Sequence, residues 1–187
     1  PQQGGRTAHY VNRAVDNIKS ILDRCIQTDR MVEREFKLQT ETFDLSDQLH
    51  HWLQDRYHSS ERISQSIAPG LVLSSDMQCI QIIANNLIEN ALKHGDVQSQ
   101  VHITLVQHES HDQRAGLLLS VINQPGPSGW PDADQLFTKY YRSSHAKRQS
   151  GTGLGLYLSY KLATQLGGEL RYRPDSQHIQ FDLWLPT

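Results

Sequence analysis

Apolar residues recur along this chain in two rhythms, and the switches between them predict its elements. Between residues 9 and 37 the rhythm is helical. Val11, Val15, Ile18, Leu22 and Cys25 follow one another in steps of four and three, the seam of a coiled coil. Asp29 interrupts the seam, and Val32 and Phe36 resume it loosely. Such a helix packs either on its own domain or in an intermolecular bundle; with little else in the chain to cover the seam, the bundle is the favoured expectation.

Short strands and helices follow. ETFDL reads as a strand ending at a helix start, with Ser46 as N-cap and Asp47 in the first turn. Leu49, Trp52, Leu53 and Tyr57 mark that helix. RISQSI and LVLS read as strands around a Pro69-Gly70 turn. Ser75, with Gln78 three residues on, reads as a capping box opening a long helix that stops at His94-Gly95. Its predicted buried stripe is Ile80, Ile83, Ala84, Leu87, Ala91 and Leu92. QVHITLVQH and AGLLLSVIN alternate as strands. Residues 124–152 lose all periodicity and gather Gly, Pro and basic residues, the mark of a functional loop. A helix over residues 154–165 and the strands ELRYRP and IQFDLWLP close the chain. Helices among antiparallel strands predict an α+β fold, a two-layer sandwich behind an N-terminal long helix. The expected division is residues 1–40 for the helix and 41–187 for the domain.

Composition narrows the function. Charged residues make up 20% and the formal net charge is −2, with no polycationic face for nucleic acid or an anionic membrane. A mean hydropathy of −0.57 fits a polar helix joined to a compact domain. Apolar runs are only a few residues long, so no spanning segment is predicted. Cys25 and Cys79 both fall on apolar helix faces and read as reduced packing residues of a cytosolic protein.

Candidate chemistry lies in three places. On the long helix Asn86, Asn90 and Lys93 fall at i, i+4 and i+7 and share one face. Asparagine is a poor helix former, and a pair one turn apart suits a hard cation whose charge a polyphosphate balances. Without such a ligand the same face is a solvated polar stripe. The second place is Gly151-Thr152-Gly153-Leu154-Gly155, just before a helix, where backbone N–H groups can approach phosphate. No Gly-Lys-Ser/Thr follows, so it is not a P-loop. The third is LFTKYYR, where Phe137 is flanked by Lys139 and Arg142, with Lys147 and Arg148 beyond; it reads as an exposed basic loop or as a lid over phosphates.

In this order the three resemble the ATP-binding domain of sensor histidine kinases, the Bergerat-type fold shared with gyrase, Hsp90 and MutL. NLIENALKHG is similar to the family's N box, LFTKYYR to its F box, and SGTGLGLYLSYKLATQLGG to its G2 box. The resemblance implies binding of Mg²⁺ and ATP. Asn90 would be the metal ligand. Asn86, Lys93 and Arg142 would be catalytic, with Asn86, Asn90, Lys93, Asn123, Gly126, Phe137, Lys139, Arg142, Arg148, Gly151, Thr152, Gly153, Leu154 and Gly155 around the nucleotide. Superfamily ATPases carry a Glu at the place of Asn86, and an amide there spares the γ-phosphoryl group for a histidine.

One segment departs from the family. Its G1 box is Asp-x-Gly-x-Gly, and INQPGPSGW stands here instead. Asn123 replaces the Asp that accepts from adenine, and Pro125 and Pro127 take the glycine places unless the loop shifts by one. An amide can accept from the adenine amine and donate to a ring nitrogen. Losing the carboxylate's charge weakens the contact by about 1 kcal/mol, so altered nucleotide binding is expected. None of the ten histidines has the acidic-then-basic context of a phosphoacceptor. The chain is therefore expected to begin within the second helix of a dimerisation hairpin. The implied whole is a homodimer through that helix, paired with a cognate response regulator and cytoplasmic, with no membrane contact by this stretch. The alternative is a non-catalytic relative that signals by contact.

Overall fold

The computed structural model describes residues 37–58, 60–110, 112–142 and 152–187. The seam from Val11 to Phe36 lies outside the described residues, as do Lys147, Arg148 and Gly151. Among the described residues ten elements run in the order β1 (Glu41–Asp44), α1 (Leu45–Tyr57), β2 (Ile63–Ile67), β3 (Val72–Ser75), α2 (Met77–His94), β4 (Val101–Gln107), β5 (Gly116–Asn123), α3 (Gly155–Gln165), β6 (Glu169–Tyr172) and β7 (Ile179–Pro186). A five-stranded sheet in the order β2-β4-β5-β7-β6 carries the helices on one face. A two-stranded sheet joins β1 and β3. The mixed α/β sandwich that the pattern predicts is thus present.

Pairing is antiparallel except where β2 runs parallel to β4, Ile63 opposite Val101. The strands flanking Pro69-Gly70 consequently part company: β2 enters the large sheet while β3 pairs with β1. Gly70 makes the turn at φ +72, and the Ala68 amide extends the β2–β4 ladder to the Leu105 carbonyl.

Both predicted N-caps move. Asp44 caps α1, accepting from the Ser46 and Asp47 amides at 2.8 and 3.2 Å. Ser46 is the second helical residue, and its hydroxyl instead donates to the Ala68 carbonyl (2.6 Å) and accepts from the Leu71 amide (3.1 Å). Asp76 caps α2 in place of Ser75, which is held in β3 opposite Glu41. In each case a carboxylate within two residues of the predicted serine takes the cap, being the stronger acceptor and favoured by the helix dipole.

The core lies between the helices and the sheet. Alternation puts Ile103, Leu105, Leu119, Val121 and Leu183 on the covered face, each fully buried. Ile80, Ile83, Ala84, Leu87 and Ala91 of α2 meet them as predicted; Ile88 completes the stripe, while Leu92 is half-buried. No helix among the described residues is long and apolar enough to cross a membrane.

Candidate functional site

Three junctions, each involving a glycine, connect the described candidate residues to α2, β5, α3 and β7. The first joins the two helices. Asn86, half-buried on α2, donates from Nδ2 to the Gly155 carbonyl (3.4 Å) and the Ser159 hydroxyl (3.3 Å). Ser159 is fully buried, and its hydroxyl in the apolar helix YLSYKLA is the sequence signal for this contact. Leu154 precedes α3 and offers no side-chain cap, although Thr152 Oγ1 accepts from the Leu154 amide at 3.3 Å. A helix start led by glycine and lacking Ser, Thr, Asp or Asn as its cap turns its N–H groups and its dipole toward an outside anion.

The second junction zips the end of α2 to the end of β5. The Gly126 amide donates to the His94 carbonyl (3.1 Å) and the Asp96 amide to the Gln124 carbonyl (3.0 Å), with Gly95 bridged to Pro125. A Cβ on Gly95 would lie 2.5 Å from the Ala91 carbonyl oxygen, and one on Gly126 2.5 Å from that of His94. Neither place admits a side chain. The close approach therefore falls to Gly126, one residue from the prolines at 125 and 127. Asn123, buried at the end of β5, donates from Nδ2 to the Gln124 carbonyl at 2.8 Å. One of its two amide hydrogens is spent inside the protein. The other and the oxygen remain.

The third junction pins the aromatic loop. Gly153, at φ +69, accepts from the Tyr140 amide (3.1 Å), and a Cβ there would lie 2.7 Å from the Tyr140 backbone. Tyr140 itself sits at φ +66, a costly conformation for a residue with a side chain. Phe137 stacks on Tyr160 (5.3 Å between centroids) and meets Phe181 edge-on at 6.4 Å. The loop is thereby anchored to α3 and β7. Lys139 places its ammonium 5.5 Å from the Tyr140 ring centroid, and Arg142 is half-buried beyond it. Asn90 is half-buried one turn after Asn86, and Lys93 is exposed on the last turn of α2.

A cavity of about 420 Å³ opens beside Asn86, between α1, α2 and the start of α3. Asn86, Leu154 and Gly155 line it together with residues the sequence pattern does not single out, among them Trp52, Arg56 and Asn85. The Tyr57 hydroxyl donates to Asn85 Oδ1 (3.1 Å), Asn85 Nδ2 donates to Glu89 (3.0 Å), and Arg56 pairs with Glu89 at 3.2 Å. Burial pushes the Tyr57 hydroxyl above its ordinary pKa, with Arg56 opposing. Asn85, adjacent to Asn86 in sequence, thus serves α1. Helical periodicity separates their tasks by about 100° around the axis.

Residues 75–187 match the family of histidine kinase-, DNA gyrase B- and HSP90-like ATPases. The chain belongs to this family. Its similar relatives include the sensor protein EvgS of Escherichia coli K12, 24% identical over 82% of this chain and 13% of its own length. Sensor histidine kinase HprS of the same organism is 24% identical over 92% of this chain and 37% of its own length. The chain thus spans well under half of these curated relatives. Among solved structures, histidine kinase AdeS of Acinetobacter baumannii superposes with a TM-score of 0.68 at 16% identity, covering 95% of this chain and 82% of that one. Full-length ShkA in complex with AMPPNP gives 0.71 at 20%, covering 93% and 36%. At these identities the superpositions show the fold, the mixed α/β ATPase domain of the family. The family match contains α2, the whole loop region and α3.

Proposed function

We propose that this chain binds Mg-ATP and is the catalytic domain of a two-component sensor histidine kinase. The observation that carries the reading is the Asn86 amide, which ties the amide-bearing face of α2 to the uncapped, glycine-led start of α3. In this reading a neutral oxygen-ligand face lies beside an anion-seeking helix end. Among the described residues no three His, Cys, Asp or Glu side chains cluster as a metal cage. Magnesium held by one amide and by phosphate oxygens suits such a donor set. The nucleotide complex of ShkA, on the same fold, supports the reading.

In this reading Asn90 is the protein's ligand to Mg²⁺, and Asn86 and Lys93 take phosphate oxygens. Thr152, Gly153, Leu154 and Gly155 offer backbone at the head of α3, with Gly151 before them. Asn123 and Gly126 face the base, and Phe137 anchors the loop that carries Lys139, Arg142 and Arg148. When bound, Mg-ATP supplies the γ-phosphoryl group for transfer to a histidine of a dimerisation domain. The chain's own groups spare it from water. Asn86 cannot accept a proton, and the Glu89 carboxylate is engaged by Arg56 and Asn85. Dimerisation through a helical hairpin, a response regulator as the next acceptor, and a cytoplasmic site of action belong to the same proposal.

Calorimetric titration with Mg-ATP tests it first. Asn90→Ala should weaken binding at least about tenfold, because the metal loses its amide oxygen. With a phosphoacceptor hairpin from a related kinase and labelled ATP, the chain should produce acid-labile phosphohistidine that Asn90→Ala abolishes. No heat of binding and no label would instead favour a relative that signals by contact alone.

A further inference from the structure

We propose that Arg56 and Asn85 decide which nucleophile meets the γ-phosphoryl group, by holding the Glu89 carboxylate out of reach of water beside Asn86. The inference rests on the nucleotide reading above and names residues that select a histidine over water. Glu89 is the only carboxylate along α2, and α3 carries none. It stands three residues after Asn86, so helical spacing puts it on the same side of α2, about 5–6 Å away between Cβ atoms. Unrestrained, such a carboxylate is a base for hydrolysis. The water oxygen would bond to the γ-phosphorus as the bond to the ADP oxygen breaks, and the water's proton would pass to Glu89. ADP and inorganic phosphate would leave, and no histidine would be phosphorylated.

The contacts around Glu89 oppose this. Arg56 Nη2 donates to Oε1 at 3.2 Å, and Asn85 Nδ2 donates to the same oxygen at 3.0 Å. Asn85 is itself fixed, because its Oδ1 accepts from the Tyr57 hydroxyl at 3.1 Å. That bond settles which end of the amide faces Glu89. Tyr57 is braced in turn, edge-on to Trp52 with ring centroids 5.9 Å apart. Arg56 lies on α1 and Asn85 is tied to α1, so both draw the carboxylate that way. Arg56 and Asn85 line the cavity that opens beside Asn86, and among the described residues Glu89 is not part of that lining. The ion pair is partly exposed, 49% for Arg56 and 38% for Glu89, so it adds little to stability. What it sets is the direction in which the carboxylate points.

Phosphate release from Mg-ATP by the whole chain, with no acceptor helix present, reads the restraint directly. Arg56→Ala and Asn85→Ala together should raise that rate at least about tenfold, while ATP affinity by calorimetry stays within about twofold. Adding Glu89→Gln should return the rate to within about twofold of the unsubstituted chain, because an amide cannot take the proton. Arg56→Lys with Asn85 intact keeps a cation beside Oε1 and should release phosphate within about twofold of the unsubstituted rate. A double variant that binds ATP yet releases phosphate no faster, or a gain that survives Glu89→Gln, would overturn the inference and leave nucleotide binding standing. If the unsubstituted chain binds no ATP, both readings fall together. A melting curve checks folding. Should the double variant fail to fold, Arg56→Ala alone, with the same Glu89→Gln control, decides by the same outcomes.

Discussion

Cys79 shows how a residue's chemistry can be silenced by its position. It is fully buried on α2, and burial, reinforced by the nearby Asp76 carboxylate, pushes its thiol up to about 12 from an ordinary 9.0. The neutral thiol is favoured in the folded chain, so the unfolded chain loses its proton first. The stability linked to this group is whole below about pH 9 and drains as pH rises toward 12. In a Cys25→Ser background, a disulfide reagent at pH 8 should label Cys79 at least about a hundredfold more slowly in the native chain than in denaturant. Labelling at equal rates would show the thiol to be accessible. The contrast with Asn123 is instructive. Both are buried, yet one loses its reactivity through burial, and the other gains a fixed orientation through a bond to its neighbour's backbone.

Among the elements, α2 bears the most on the candidate site, and its register depends on its first turn. Asp76 accepts from the Cys79 amide at 3.1 Å and from the Gln39 amide at 2.8 Å, so the cap also ties down the segment leading into β1. Asp76→Ala removes both acceptors and should cost about 1–3 kcal/mol in denaturant unfolding. Asp76→Asn keeps one of the two acceptor oxygens and turns an amide N–H toward the other donor, so it should recover only part of that loss. Full recovery would mean that a single oxygen carries the cap. At its other end α2 stops because Gly95 must pass close to the Ala91 carbonyl and because Gly126 zips onto His94. The apolar stripe itself was legible from spacing alone. The caps were not, because serine and aspartate neighbours compete, and a serine already committed to a strand or a turn cannot also cap a helix.

For the molecule as a whole, the sheet and helices share one core, so a defect in the sheet should be felt by the entire described domain. Leu119 is fully buried on β5, paired with Leu105 of β4 and Leu183 of β7. Leu119→Ala should destabilise the chain by about 2–5 kcal/mol in a single unfolding transition. A loss of only a few tenths would imply that the neighbouring strands collapse into the space. The opposite face of the sheet carries a buried pair of its own, Ser120 donating to Asp182, with Gln180 donating to the same carboxylate at 2.8 Å. Alternation assigns these polar residues to the uncovered face. Only the tertiary structure shows them buried, with Arg173 paired to the same carboxylate at 3.3 Å.

By itself the sequence determined the two-layer α/β fold, the family and the order of its glycine, amide and aromatic motifs. The fold class and motif order follow from periodicity and from residue types whose chemistry is local, and the family from the resemblance those ordered motifs carry. Only the tertiary structure decided that β2 runs parallel to β4 while β3 leaves for another sheet, since strand pairing depends on distant partners that no local pattern names. It decided, too, that Gly126 makes the close approach, and that Asn86 reaches Ser159 while Asn85 reaches Tyr57. Residues that share a sequence neighbourhood were separated by the turn of a helix, and residues far apart were joined by its packing. The polarity of the Asn123 amide belongs with these. An asparagine in a sequence can face either way, and the carbonyl of Gln124, held in turn by Asp96, leaves it one.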